Sequence, residues 1–221
     1  MSRRSFLITL VLFALSSSAA GGIRVDGNKV ESIGPLADAG ASELLKKALE
    51  PAGSRVSLAD GAYCDIWLRS GVPSGKLEAQ GAIYTSLGES TLIGVIAFTR
   101  ATTDFRGQPL KPGVYTLRYA LHPVDGNHMG ISPIRDFLVM IPIAMDQKPD
   151  AKFKFEELMK TSTKATGTNH PAVLSLASPD QATPPRVAPN DHGHLVFSSK
   201  LKTQQGSDMP IAFIVKGIAE Q

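Results

Sequence analysis

A single cysteine, Cys64, stands among the 221 residues, so no disulfide can form within the chain. A chain of this length buries enough apolar surface to fold without such staples. The neighbours of Cys64 at period two, Ala62 and Ile66, are apolar, which predicts a buried, inert thiol rather than a nucleophile. Surplus charge is also scarce. The formal balance is 23 − 20 = +3, but residues 1–20 hold Arg3 and Arg4 and no acid, so the remainder carries 21 − 20 = +1. With basic and acidic residues interspersed and no basic stripe beside aromatics, nucleic acid is not an expected partner. The sequence has no Gly-x-Ser-x-Gly elbow, no Gly-rich phosphate loop and no His-Glu-x-x-His. It has no internal repeat of fixed period, which excludes propellers and solenoids.

The longest apolar run lies at the start. Met1 to Ser5 is short and basic, Phe6 to Leu15 is apolar except for Thr9, and Ser16 to Ala20 are small. That order is a signal peptide, with Ser18-Ala19-Ala20 placing cleavage after Ala20. The run is too short for a ~30 Å hydrocarbon core, which needs about twenty residues. No cysteine follows it, so no lipid anchor is expected. The reading is therefore a periplasmic or secreted protein with no membrane anchor after cleavage. Ser2-Arg3-Arg4-Ser5-Phe6-Leu7 resembles the twin-arginine export motif, but the strongly apolar segment behind it favours the ordinary secretory route.

Residues 21–40 are Gly-rich and mixed, an irregular lead-in, and residues 41–221 read as one domain. Ala41 to Glu50 has helical spacing, with Leu44, Leu45 and Leu49 on one side and Pro51 and Gly53 as the stop. After Arg55 the period becomes two. Arg55 to Leu58, the turn Asp60-Gly61, and Ala62 to Arg69 form a hairpin. Cys64, Ile66 and Leu68 face one way; Tyr63, Asp65, Trp67 and Arg69 face the other, either as a second buried face or as a sugar- or peptide-stacking surface. The first is favoured.

Thr91 to Phe98 is apolar on both faces, as in a central strand. Val114 to Leu121 alternates cleanly, with Tyr115, Leu117, Tyr119 and Leu121 on one face. Further strands are expected at 137–144, 172–176, 194–199 and 211–215, and a second helix at 152–160. Residues 181–190 contain three prolines and read as an irregular loop. The sum is a mainly β fold, a β-sandwich of about eight strands with one or two short helices. Gly107, Leu110, Gly113, Tyr115 and Leu117 form a G-x-x-L-x-x-G-x-Y-x-L hairpin. It resembles uncharacterised exported bacterial β-sandwich proteins, as does the run from Tyr115 through Asp125-Gly-Asn-His-Met-Gly to Phe137. The resemblance implies the fold and carries no catalytic residue.

One constellation invites chemistry. The five histidines all lie after residue 121. His192 and His194 share a face at period two, His122 follows a strand, and His128 sits in a loop with Asp125 and Met129. If these loops meet, His122, His128, His192 and His194 suit zinc or copper, with His170 in reserve. The alternative is turn chemistry in solvated loops. A metal-activated hydrolase would add Asp125 or Asp191 as base. Ser199-x-x-Lys202 has a catalytic spacing, but it ends a strand, where residues three apart face opposite sides. Arg135-Asp136 precedes a strand and reads as a pair tying loop to sheet, and Arg118 is a further arginine for such a bond. The function expected is thus a non-enzymatic binding or scaffolding module, with a histidine-rich copper- or zinc-binding protein as the alternative.

The first test concerns the leader. Protein recovered from outside the cytoplasm should begin at Gly21 by intact mass, and material there that still carries Met1 would remove the export reading.

Overall fold

The computed structural model describes residues 27–75, 81–123, 134–180 and 184–219. The leader segment, His128, and the Asp125 to Gly130 part of the hairpin resemblance lie outside them.

A seven-stranded antiparallel sheet is the larger layer. Its strands are β1 (Lys29–Ile33), β2 (Gly53–Leu58), β3 (Gly61–Leu68), β4 (Leu92–Phe98), β7 (Gly113–Leu121), β8 (Asp136–Pro142) and β9 (Ala172–Ser175), in that spatial order. A small hairpin, β5 (Thr102–Thr103) and β6 (Pro109–Leu110), projects between β4 and β7. The second layer is β10 (Arg186–Pro189), β11 (Leu195–Lys202) and β12 (Asp208–Lys216). The fold is the expected mainly β sandwich. The first helix is shorter than expected, and Leu44, expected on its apolar side, is 58 % exposed. Two segments expected to be irregular are strands. Lys29–Ile33, within the expected lead-in, pairs with β2, and Arg186–Pro189, within the expected loop, pairs with β11. Both sit at sheet edges, where proline and polar residues are tolerated because one side of the backbone needs no partner.

Alternation decides which residues enter the core. Cys64, Ile66, Tyr115, Leu117, Tyr119, Leu138, Met140 and Leu174 from the large sheet meet Phe197, Leu201, Ile211, Phe213 and Val215 from the small one. Gly94 lies at a register shift between β4 and β7, and a Cβ there would stand 2.3 Å from the Trp67 carbonyl oxygen. Only glycine lets β3 and β4 approach so closely.

The other face of the large sheet is covered too. Trp67, Leu92 and Val95 lie under Leu45 and Leu49, the first on helix α1 (Glu43–Lys47) and the second just beyond it. Trp67 donates its indole N–H to the Gly34 carbonyl at 2.9 Å. Phe137, Val139 and Ile141 lie under Leu158 of helix α2 (Phe155–Thr166). The helix ends at Gly167, whose φ of +70° is the left-handed C-terminal conformation glycine favours. This second buried face is the reading favoured for the Trp67 side of β3, except that Tyr63, expected on that side, packs with Cys64 and Ile66 in the core between the sheets.

Between the two helical covers runs the linker 146–153, held by an arginine with no exposure. Arg118 Nε and Nη2 donate to the two Asp146 carboxylate oxygens at 2.6 and 2.7 Å. Nη1 donates to the carbonyls of Ser90 (2.6 Å) and Ala151 (3.0 Å), and Nη2 also to that of Lys148 (2.8 Å). A guanidinium has five N–H donors, and all five are occupied. The Phe153 ring lies 4.9 Å from its carbon. Arg69 joins in, donating to the Pro149 carbonyl and the Asp150 carboxylate. Ser90 adopts a left-handed φ of 66°, unusual for a residue with a Cβ. It is kept there by its carbonyl on Arg118 and its hydroxyl oxygen on Phe153 N–H.

Two tyrosines and a short pairing join the layers. Tyr84 donates its hydroxyl to the Ala177 carbonyl (2.7 Å) and accepts from Ala212 N–H (2.9 Å), beside the Leu176–Phe213 bridge. Tyr63 donates to the Val215 carbonyl at 3.1 Å. Val72 bridges Thr203 in parallel, tying the chain after β3 to the end of β11.

Removing one partner of a fully buried ion pair leaves the other uncompensated, at a cost of about 3–5 kcal/mol. Asp146→Asn should lower the unfolding free energy by roughly that amount in urea titration, and Arg118→Met by at least as much. A loss below about 1 kcal/mol for both would mean the linker is held by something else.

Candidate functional site

Perturbed carboxylates mark active sites, and several aspartates of this fold are buried. Asp136 accepts Ile83 N–H at 2.7 Å, Tyr84 N–H at 3.0 Å and the Tyr119 hydroxyl at 2.7 Å. Asp104 accepts Arg106 N–H, Gln108 N–H, the Gln108 amide and Val173 N–H, bracing the β5–β6 turn against β9. Burial pushes the Asp104 carboxyl upward while these donors pull it back. Asp146 is taken by Arg118 and the Thr116 hydroxyl. Among the described residues, no buried side-chain polar atom lacks a partner. Each of these carboxylates holds backbone or a neighbouring side chain in place. Arg135 does similar work, donating to the His122 carbonyl while His122 N–H returns a bond to its own carbonyl. Cys64 is fully buried, and burial pushes its thiol up, away from the thiolate a nucleophile needs.

The histidines are placed by local turn chemistry. Asn190 Oδ1 accepts both His192 N–H and His194 N–H, and Gly193 supplies the positive φ of +74° that the turn requires. The two rings lie side by side, centroids 5.8 Å apart and 25° from parallel. The His194 ring also meets Phe105 edge-on at 5.5 Å, and its Nε2 bonds the Ile218 carbonyl at 3.0 Å. His122 stacks on Phe137 at 4.2 Å. His170 sits in the turn after α2, where its carbonyl accepts the Thr166 and Thr168 hydroxyls. The structure thus brings His192 and His194 together. Among the described residues, no three His, Cys, Asp or Glu side chains converge as a metal set.

Among the described residues, two shallow, open depressions lie at the sandwich end where β3 leaves the large sheet and β4 enters it. Three segments meet there, each tied to the next through the backbone. Val72 N–H bonds the Lys202 carbonyl at 2.8 Å, and Gln204 N–H bonds the Val72 carbonyl at 3.0 Å. Gly75 N–H bonds the Ser86 carbonyl at 3.0 Å, and the preceding Tyr84 is pinned to β12 by its hydroxyl. Two adjoining depressions of about 310 and 380 Å³ result, with Ser74 and Ser86 common to both. The second also takes in Thr203, Gln205, Ser207 and Asp208. Ser74 donates to the Gln205 side-chain oxygen at 2.8 Å. Asp208 faces Lys202 at 2.9 Å and Lys200 at 3.6 Å, and the Lys202 hydrogen bond holds its carboxyl below the usual range. The sequence did not signal this groove. Its residues are small polar residues of segments 131 positions apart that the pairing of Val72 with Thr203 and the Ser74–Gln205 bond bring together.

No family model, curated protein or solved structure matches the chain.

Burial raises the pKa of all four tyrosines, Tyr63, Tyr84, Tyr115 and Tyr119, above the ordinary 10.0; Asp136 adds to the shift of Tyr119. A raised native pKa means that the folded chain keeps protons the unfolded chain releases. The stability they contribute is whole below pH 10.0 and is lost as pH climbs above it. Phenolate absorbance at 295 nm should appear near pH 10 in concentrated urea and only at higher pH in native protein. Coincident curves would show that the phenols are not buried.

Proposed function

We propose that the chain is an extracytoplasmic β-sandwich module that binds a ligand at the hydroxyl-lined groove and performs no covalent chemistry on it. The observation that carries this reading is the groove itself: three segments from both sheets, fixed to one another by backbone hydrogen bonds, form a concave polar surface at one end of the sandwich. Ligand sites are concave and largely pre-formed, and loops at the end of a rigid sandwich commonly carry function. The commitment of Asp104, Asp136 and Asp146 to structural donors supports binding over catalysis. The leader segment supports a location outside the cytoplasm.

One observation favours a second reading, a copper- or zinc-binding role for the histidines: the adjacency of His192 and His194 on one turn. It requires further ligands, with His122 and His128 as the candidates.

Amide NMR with cocktails of small polar fragments tests the first reading. Shifts should concentrate at Ser74, Ser86, Gln205 and Asp208; hits confined to other surfaces, or none, overturn it. Elemental analysis of the purified chain tests the second. Less than about a tenth of a copper or zinc per chain removes it, because a resident site with ligands at ~2 Å retains its metal through purification.

A further inference from the structure

We propose that the groove between Ser74, Ser86 and the β11–β12 turn takes a neutral carbohydrate, and that its two depressions accept two linked sugar rings. The inference rests on the binding reading above and names the ligand class for the same site.

Charge argues first. Among the described residues, the only carboxylate in the lining, Asp208, is balanced by Lys202 and Lys200, and the rest of that lining is uncharged. A phosphate or polyanion would meet Asp208, and a free cation would have to displace two lysines. Neither is favoured over a neutral ligand.

Hydrogen-bonding capacity argues next. The hydroxyls of Thr85, Ser86 and Ser207 make no side-chain hydrogen bond among the described residues, and each can both donate and accept. Sugar hydroxyls have the same dual character, so a row of serines and threonines can match them whichever way each proton points. Asp208 stays ionised at neutral pH, because Lys202 lowers its pKa, and so offers acceptor lone pairs only. An acceptor of that kind suits adjacent hydroxyl donors on one ring.

Shape and contact complete the case. Met209 and Pro210 are half-buried in the second depression and give an apolar surface for the C–H face of a ring. The depressions lie side by side, within the ~300–1,000 Å³ range of small-molecule sites. Sharing Ser74 and Ser86, they form one continuous path rather than two sites. A peptide would use the same hydroxyls through its amides, but each of its residues would also bring a side chain, and the described lining has no aromatic surface and no uncompensated charge to receive one.

The test uses the mature chain, labelled with ¹⁵N, and three probe sets: neutral disaccharides (maltose, cellobiose, chitobiose), glucose 6-phosphate with glucuronate, and trialanine with triserine. The expected result is saturable shifts at Ser74, Ser86, Gln205 and Asp208 with at least one disaccharide, and weaker or no shifts with the charged sugars. Asp208→Ala should weaken that binding by about tenfold or more, the scale of one lost hydrogen bond to a charged group. Ser86→Trp should abolish it by filling the shared wall, while His192→Ala leaves it unchanged; thermal melts of each variant establish that the fold persists. Shifts at the groove with tripeptides or charged sugars but not with neutral ones overturn the carbohydrate assignment and leave the groove as a binding site. No groove shift with any probe overturns both.

Discussion

The linker that crosses the outer face of the large sheet depends on a charge that has no contact with water. Arg118 projects from the middle of β7 into a layer that would otherwise be apolar, and its cost there is that of an ion taken out of solvent. The structure meets that cost with geometry. Asp146 supplies a planar, two-point match, and three carbonyls and an aromatic face complete the shell. Those partners come from the loop before β4 and from the linker joining the 3-10 turn at Ile143–Met145 to α2. One side chain therefore fixes the course of the linker that leads into α2. A hydrophobic residue at 118 could fill the same volume, but it could not dictate which carbonyls the linker turns inward.

The two sheets are joined by a different device. Apolar packing supplies the adhesion between them, since it is non-directional and scales with area. It does not fix their relative slide. The hydroxyls of Tyr63 and Tyr84 do, because each reaches from the large sheet, or the loop that feeds it, to a named backbone group on β12. Their rings lie in the core while their tips form directional bonds. The Val72–Thr203 bridge acts in the same way at the groove end. The groove is thus a product of sheet registration: a slide of one layer by a single residue would separate Ser74 and Ser86 from Thr203 and Ser207.

This division explains why the groove and the core use such different residues. Inside, each polar atom is matched within the fold, so the buried acids act as braces. At the sandwich end, small hydroxylated residues stand on braced backbone, with donors and acceptors left facing solvent.

The strands, their order along the chain and the buried faces were legible in the sequence, because alternation at Tyr115, Leu117 and Tyr119 reports burial locally. The second buried face of β3 was legible for the same reason, from Trp67. Edge strands β1 and β10 were not, since their side chains are mostly exposed and their stability comes from one neighbour rather than from their own pattern. Nor was the partner of Arg118: Asp146 is 28 positions away, and nothing in its surroundings marks it. His192 and His194 could be placed on one face from their spacing, but the sequence is silent on what faces them. Periodicity is a short-range property, so the sequence alone determined the class of fold and which side of each strand turns inward. Contacts between distant segments decided the buried ion pair, the registration of the sheets and the groove, because their energies exist only once the chain has closed.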